Sequence, residues 1–434
     1  MGLHIRHTGR PPAPDAIDGH VAARIRARRR DLKITRDAAA RALRIGVGQL
    51  DRLEKGGVGI QAAQIDRLCT LLDVTPSYFF HDLLPAGEEV RVQQMESLGK
   101  DAMLARSLAL AAALTVAATT ARAEVQEIVF ARLGIFSMLP LIVMESNHLV
   151  EKQARRLGIP DLKVTYTQFT SGLEVNIALA SGRAQFGACG VAPFLTLWDK
   201  GYDNLKINAV SALDTAPMYL VTRNPSVKKV TDFTDADRIN VLTPGTAGQA
   251  IVLEMAAAQA YGMQNYTKLD RLTVGLPPAE ATAAMISGSG AISADFTGVP
   301  MSYFELDAPG IHKVLGSHDV LGSQATNSIL YTTAAFHDEH PKIMAAVNAA
   351  LDEAMTLIAQ DRPKAGQEYL QLTGTRYEKQ VARMVSDPEI TFRREPHALM
   401  AFANFMHETG KLKNVPPDWK GLFFPEEAAQ FRGD

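Results

Sequence analysis

Residues 171–201 read SGLEVNIALASGRAQFGACGVAPFLTLWDKG and contain two helix starts around a short strand-like run. Ser171 and Glu174 fit the S-x-x-E pattern of a capping box, in which paired side chains satisfy free amides at a helix start. The apolar run AQFGACG favours a strand, and Pro193 suits the first turn of the helix that follows. The segment therefore predicts a helix–strand–helix unit of an α/β fold.

The same alternation continues on both sides of this segment, from Glu124 onward. Short apolar runs such as LKVTYTQF, RINVLTP and AISADFTGV are separated by Ala-rich amphipathic stretches. Strands that alternate with helices predict mostly parallel sheets. About 310 residues follow this pattern, which is long for one such sheet and therefore predicts two lobes.

Three loops at predicted strand ends are candidates for holding a ligand. They lie at Ser171–Gly172, at Cys189–Pro193, and at Thr246–Gln249, where a second capping box is predicted. Ligands of α/β folds bind beyond the carboxyl ends of strands, and helix N-termini offer free amides to anions. These loops predict a site that holds an anion without lysine or arginine, unless they are only ordinary helix starts.

An apolar segment precedes the α/β part of the chain. SLALAAALTVAATTA follows two basic residues and ends near Ala121-x-Ala123, the small-x-small pattern of a secretory cleavage site. We predict a signal peptide over 100–123, with the mature protein beginning at Glu124. A retained membrane anchor and a buried helix of a soluble protein are the alternatives, although a span needs about 20 apolar residues.

The first hundred residues have a different composition. Residues 1–18 are Pro-rich and polar and predict a disordered tail, and 85–99 read as a linker. Between them, 19–84 predict five short helices of a small all-α domain, with Thr35 as one N-cap.

Composition and motifs argue against several functional classes. The formal net charge is −2, so the whole chain shows no general preference for nucleic acid. Its two cysteines, Cys69 and Cys189, fall in different predicted domains, which excludes a disulfide framework and signals no metal cluster. P-loop, zinc-protease and serine-hydrolase motifs are absent from the sequence. We therefore expect no catalytic residues, no cofactor and no metal.

The segment IRARRRDLKITRDAAARALRIGVGQLDRLEKG, followed by IDRLCTLLDVTPSYFF, resembles the helix-turn-helix domains of the lambda-repressor and Cro type, also called XRE. The resemblance implies that the third helix enters the major groove of duplex DNA. It places Gln49 and Arg52 against bases and Arg36 against phosphate or a base edge. The chain departs from the family in having Arg36 where an amide is usual, and Gly46 and Gly48 weaken the third helix.

The α/β part resembles the solute-binding proteins of ABC importers, of the nitrate, sulfonate, taurine and thiamin-precursor type. The resemblance rests on the ordered set of SGLEVNIALASGRAQFGACGVAP, then VLTPGTAG, then GAISADFTGVP. It implies a two-lobed, periplasmic-binding-protein-like (type II) α/β fold preceded by the small all-α domain. Lobe one would be 124–214 plus 322–434, and lobe two would be 215–321. The implied partners are a small solute and an importer permease.

The same resemblance implies which residues line the cleft between the lobes: Phe136, Ser137, Ser171, Gly172, Cys189, Gly190, Val191, Ala216, Thr246, Ala247 and Asp295. A carboxylate at Asp295 on the cleft rim would suit an amine-bearing or neutral ligand better than a dianion, or it would simply cap a loop.

Two functional hypotheses follow. In the first, the chain gives a periplasmic solute-binding protein after cleavage near Ala123, with a fused DNA-binding domain at 19–84. In the second, it is a one-component transcriptional regulator with a ligand-sensing domain, either cytosolic or anchored in the inner membrane with 1–99 in the cytoplasm. An enzyme related to this fold would need a Cys-rich motif that two lone cysteines do not supply.

Overall fold

The computed structural model describes residues 16–43, 45–55, 71–72 and 124–433. The chain divides into two compact units, Met1–Ala121 and Arg122–Asp434. The predicted linker and signal segment lie outside the described residues, as does most of the predicted tail. Among the helices that are described, none is both long and apolar enough to cross a membrane.

The N-terminal unit contains the helices α1 (Ala16–Asp31), α2 (Arg36–Leu43) and α3 (Val47–Leu53). Thr35 caps α2, as predicted, because its hydroxyl accepts a hydrogen bond from the Ala38 amide at 3.2 Å. The buried apolar side chains of the described part of this unit are small or aliphatic: Ala22, Ile25, Ala39, Ala40, Leu50 and Leu72.

A buried ion pair joins the first and third helices of this unit. Arg29 Nε and Nη2 donate to the Glu54 carboxylate at 2.5 and 3.0 Å, and Arg29 Nη1 donates to the Ile34 carbonyl at 2.8 Å. Burial alone would raise the pKa of Glu54, but its contacts with Arg29 and Arg36 lower it below its ordinary value. The pair is thus charged on both sides although both side chains are almost fully buried.

The C-terminal unit contains two five-stranded sheets. The first has the order β2-β1-β3-β10-β4, and only β10 runs antiparallel to its neighbours. Its strands are β1 (Glu127–Leu133), β2 (Lys163–Phe169), β3 (Phe186–Gly190), β4 (Ile207–Asp214) and β10 (Ser328–Thr333). The second has the order β7-β6-β8-β5-β9, with β5 antiparallel to β8 and β9. Its strands are β5 (Met218–Thr222), β6 (Ile239–Asn240), β7 (Thr273–Val274), β8 (Ala294–Gly298) and β9 (His312–Gly316).

Helices cover both sheets, as the alternating pattern predicts for parallel strands that are buried on two faces. They are α4 (Leu139–Ser146), α5 (Leu149–Arg156), α6 (Gly172–Ala180), α7 (Val191–Lys200), α8 (Gly248–Tyr261), α9 (Pro278–Ser287), α10 (Met301–Leu306), α11 (Ser317–Leu321), α12 (Ala334–Glu339), α13 (Pro341–Gln360), α14 (Arg362–Thr373), α15 (Glu378–Ser386), α16 (Leu399–Glu408) and α17 (Pro425–Ala428). The two-lobed α/β prediction is confirmed.

The chain passes between the sheets at Thr215–Pro217 and again between β9 and β10. Ser328, the first residue of β10, pairs with Gly190 at the end of β3 and with Asp214 at the end of β4. In the other sheet, Met218 at the start of β5 pairs with Gly298 at the end of β8. The connections therefore bring the carboxyl edges of both sheets together, which is where α/β folds bind ligands.

Candidate functional site

Asp214 is the last residue of β4, an edge strand of the first sheet, and is fully buried. Its Oδ2 accepts hydrogen bonds from the Ala216 amide at 3.0 Å and from Asn327 Nδ2 at 3.5 Å. Asn327 also donates to the Ser137 hydroxyl at 2.9 Å, and its amide donates to the Asp214 carbonyl at 2.9 Å. The Asp214 carboxylate thus contacts both inter-lobe connections, and Asn327 extends these contacts to the turn after β1.

The hydroxyls of Ser137 and Ser328 lie near the Asp214 carboxylate and oppose the effect of burial on its pKa. The Oδ1 atom of Asp214 is buried without a hydrogen-bond partner of good geometry, and so is the hydroxyl of Ser328. The two residues face each other across the strand pair, and Gly190 on the far side of Ser328 carries no side chain. Burial raises the pKa of Asp214 to about 6, so the group is mostly ionised at neutral pH. This arrangement offers a charged acceptor to a donor group.

Sequence reasoning missed Asp214, Asn327 and Ser328. A signal for the first of them existed, because Asp214 ends the apolar strand INAVSALD and is followed by Thr-Ala-Pro, which does not continue a strand. Of the predicted cleft residues, Ser137 and Ala216 join this cluster, Ser137 through its hydroxyl and Ala216 through its backbone amide.

The loop at Ser171–Gly172 is built as predicted. Ser171 Oγ accepts from the Glu174 amide at 3.3 Å, and Glu174 Oε2 accepts from the amides of Thr170 and Ser171 at 2.9 and 3.1 Å. The capping box is therefore confirmed. Its hydrogen bonds occupy backbone amides that were predicted to bind an anion. A Cβ at Gly172 would lie 2.6 Å from Pro193 Cγ, so glycine is required for this loop to pack on the next one.

Three predicted cleft residues have side chains in the hydrophobic core. Phe136 is fully buried and packs edge-to-face against Tyr369 and Phe392. Cys189 and Val191 are also buried. The role of these three residues in the cleft stays a prediction.

Cys189 belongs to a buried polar chain in the core of lobe one. Its Sγ lies 3.1 Å from Tyr331 Oη, and Tyr331 donates to Asn176 Oδ1 at 2.5 Å. Burial raises the pKa of the Cys189 thiol to about 12. The thiol is therefore protonated at neutral pH and unsuited to nucleophilic chemistry.

The lobe-two side of the cleft is the start of α8. The predicted capping box of Thr246 and Gln249 is wrong: the N-cap is Ala247, and its side chain caps nothing. The amides of Thr246 and Ala247 donate to the Thr243 carbonyl, which leaves the first-turn amides of α8 without a side-chain acceptor. A helix start of this kind carries a partial positive charge.

Asp295 is not on the cleft rim, and this prediction is corrected. The residue is fully buried, and its Oδ1 accepts from Asn240 Nδ2 at 2.9 Å. The buried carboxyl of Glu305 lies beside it and accepts from Thr282 Oγ1 at 2.9 Å. Burial raises the pKa of both carboxyls, and for Glu305 the neighbouring charge of Asp295 adds to the rise. Asp295 therefore belongs to a carboxyl pair under α9 and α10.

Contacts join the lobes on both flanks of the cleft. On one flank, Tyr219 Oη donates to Glu389 at 2.6 Å, and the Tyr303 hydroxyl donates to Asp387. On the other, Lys411 Nζ lies 3.0 Å from Glu254 Oε1 at the first turns of α8. Burial raises the pKa of Glu254 to about 7 although Lys411 opposes the rise. These contacts therefore join the two lobes.

The N-terminal unit presents its predicted contact residues on α3. Gln49 and Arg52 are exposed on one face, whereas Leu50 and Glu54 are buried. Arg36 is partly engaged, because its side chain lies 3.4 Å from Asp51 and 3.4 Å from Glu54. The role of these three residues toward DNA stays a prediction.

Residues 20–77 match a family model described as a helix-turn-helix domain. Two curated relatives from Sinorhizobium fredii, the uncharacterized HTH-type transcriptional regulators y4wC and y4aM, are each 35% identical to this chain, over 71 and 69 residues. Each match covers 16% of this chain and 50% or 48% of the relative. The chain thus spans about half the length of the curated relatives it matches.

Solved structures resemble the C-terminal unit. The alkanesulfonate-binding protein SsuA from Xanthomonas axonopodis pv. citri, bound to MOPS, has a TM-score of 0.54 at 20% identity and covers 70% of this chain and 98% of its own. The periplasmic aliphatic sulphonate binding protein SsuA from Escherichia coli has a TM-score of 0.54 at 18% identity, covering 69% and 92%. The periplasmic nitrate-binding protein NrtA from Synechocystis PCC 6803 has a TM-score of 0.53 at 14% identity, covering 71% and 86%.

At such identities the likeness establishes the fold. The chain therefore combines an XRE-like helix-turn-helix domain at residues 20–77 with a unit that has the two-lobed fold of periplasmic solute-binding proteins of ABC importers.

Proposed function

We propose that the C-terminal unit captures a small solute between its lobes and that this solute carries an anionic end and a cationic or donor end. The observation that carries the proposal is the pairing of unlike groups across the cleft. Lobe one contributes the unpartnered Oδ1 of Asp214, and lobe two contributes the uncapped start of α8.

The two groups favour opposite charges. The amides and dipole at the start of α8 favour an anion such as a sulfonate or carboxylate. A positive or donor group stabilises a buried carboxylate, so the Oδ1 atom of Asp214 favours an ammonium or another donor. An amino-sulfonate or amino acid satisfies both, whereas nitrate satisfies only the lobe-two side.

The cellular role extends this proposal. We infer that the solute-binding unit works in the periplasm after cleavage near Ala123, binds without catalysis, and delivers its solute to an importer permease. The support is the fold shared with binding proteins of that setting. Detection of a mature form that begins at Glu124 in the native cells would test the location.

Replacing Asp214 with asparagine should distinguish amine-bearing ligands from plain anions. In a thermal-shift screen of the full chain, amine-bearing acids should raise the melting temperature, since a ligand at 100 times its Kd adds about 2.7 kcal/mol. Asp214→Asn should weaken such a ligand roughly ten- to a hundredfold, because a charge-assisted contact is lost. A plain sulfonate or nitrate should bind the variant as well or better.

The pH dependence gives a second readout of the same contact. Binding of an amine-bearing ligand needs ionised Asp214, whose pKa is about 6. Affinity should therefore fall about tenfold between about pH 7 and pH 5, and this fall should vanish in Asp214→Asn. Asp203→Asn, on an exposed carboxylate, is the matched control. Equal affinity of wild type and Asp214→Asn for every ligand found would contradict the role of Asp214.

A second candidate function is a ligand-responsive transcriptional regulator, either cytosolic or anchored. The observation that favours it is the exposure of Gln49 and Arg52 on α3 of a folded helix-turn-helix unit. Third helices of this kind enter the major groove. Both functions use the same solute cleft and differ in whether duplex DNA is a partner.

The full chain should bind duplexes enriched from a random pool, with affinity that falls as salt rises. Arg52→Ala should reduce the preference for enriched over random duplex about tenfold or more, because base contacts carry specificity. Arg41→Ala, on the exposed side of α2, should lower affinity for both duplexes alike. If Arg52→Ala keeps the full preference, α3 does not read bases through this residue.

A further inference from the structure

A second cluster of ligating side chains lies on α12 and α17 of lobe one, apart from the cleft residues. One atom from each of His337, Glu426 and Glu427 lies within 4.8 Å of the others. His337 is mostly buried, Glu427 is 2% exposed, and Glu426 is exposed to solvent. A buried carboxylate in such a place needs a positive partner.

The surroundings of the Glu427 carboxylate indicate which kind of partner it can bind. Its Oε1 is held by Asn348 Nδ2 at 3.1 Å, while its buried Oε2 has no hydrogen-bond partner. Oε2 lies 3.6 Å from His337 Nε2. This separation is too long for a hydrogen bond. It is close to the roughly 3.4 Å between two ligands on one tetrahedral zinc ion with bonds of about 2.1 Å.

The imidazole of His337 is already oriented for such a role. Its Nδ1 lies 2.9 Å from Asp338 Oδ1, so the proton of the neutral ring is held on Nδ1 and the lone pair of Nε2 points toward Glu427. The ring also stacks on Phe424, with centroids 3.8 Å apart and planes at 9°. Metal-bound histidines commonly have this second partner, which fixes their tautomer and orientation.

We propose that His337 Nε2, Glu427 Oε2 and the Glu426 carboxylate bind a divalent cation of the zinc class, with water from the open side as the fourth ligand. One imidazole and two carboxylates suit zinc, whereas Ca²⁺ and Mg²⁺ prefer all-oxygen sites. Asp338 and Asn348 act as positioning residues. The competing arrangement is a protonated His337 bridging Asp338 and Glu427 without a metal.

The test is a zinc titration of the chelator-treated full chain, with competition against a chromogenic chelator. Wild type should bind one more equivalent of Zn²⁺ than His337→Gln. The positioning variant Asp338→Asn should retain the site but weaken it about ten- to a hundredfold. Co²⁺ should give visible d–d bands of tetrahedral intensity in wild type and lose them in His337→Gln.

Further variants test whether the bound zinc depends on this cluster. His407→Gln removes an exposed histidine elsewhere and should leave the stoichiometry unchanged. Glu426→Gln and Asp338→Asn alter exposed side chains, so these variants replace His337→Gln in the test if that variant fails to fold. Equal zinc stoichiometry and affinity in wild type and in these cluster variants would overturn the site and favour the metal-free ion pair.

Discussion

Replacing Glu54 with alanine should unfold the N-terminal helical unit. Its side chain is 0% exposed and that of Arg29 is 8% exposed, so the change leaves a guanidinium buried without its charge partner. Loss of one member of a buried pair costs about 3–5 kcal/mol. A unit of about sixty residues holds only about 3–9 kcal/mol in total, so most molecules should lose the fold.

Hydrogen exchange measured by mass spectrometry on the full chain can follow this unit separately. Peptides from α1 and α3 should exchange almost as fast as unfolded chain in Glu54→Ala, while peptides from β1 and β3 keep their protection. Asp51→Ala is the matched control, because Asp51 pairs with Lys55 and Arg36 at the surface and should contribute little. The double change Arg29→Met with Glu54→Leu should restore protection, since apolar groups can replace a buried pair.

Retained protection in Glu54→Ala would show that the ion pair does not hold α1 to α3. The expected loss would also assign a structural role to one arginine in the basic run of α1. Arg29 is committed to Glu54, and Arg28 Nε donates to the Leu72 carbonyl at 3.0 Å. The number of basic residues in this helix is therefore larger than the number left to contact phosphates.

The second large effect expected is a fall in the stability of the C-terminal unit as pH rises through neutrality. Asp295 and Glu305 are both fully buried with raised pKa values, caused first by burial and, for Glu305, next by the charge of Asp295. Below the ordinary pKa near 4.5, folded and unfolded chains both carry the proton. Between this value and the raised pKa of the folded chain, only the folded chain retains the proton. The free energy of unfolding should therefore fall by about 1.4 kcal/mol per pH unit in that range.

Urea denaturation followed by far-ultraviolet circular dichroism, between about pH 5 and pH 8, measures this slope. Glu305→Gln should flatten it, because the glutamine amide can donate to Asp295 in place of the shared proton and still accept from Thr282. Glu280→Gln, an exposed change on α9, should leave the slope as in wild type. A wild-type slope no steeper than that of Glu305→Gln would mean that the pair does not share a proton.

Local features of both units followed from the sequence. Thr35 and Ser171 cap their helices as predicted, because a cap involves only amides within the next few residues. Alternating strand and helix patterns predicted two α/β lobes, since hydrophobic periodicity is read over a single element. The capping box at Thr246 failed because the helix begins later, at Gly248, and the loop before it folds back on Thr243.

The functional groups depended on contacts between distant parts of the chain. Asp214 and Asn327 meet because β10 inserts between β3 and β4, and no local pattern specifies that order. Asp295 is polar in sequence yet fully buried, because α9 and α10 close over it and bring Glu305 beside it. Sequence alone determined which elements form, through short-range hydrogen bonds and periodicity. Tertiary structure decided which carboxylates lost water and which partners they found, because desolvation is set by everything that packs around a group.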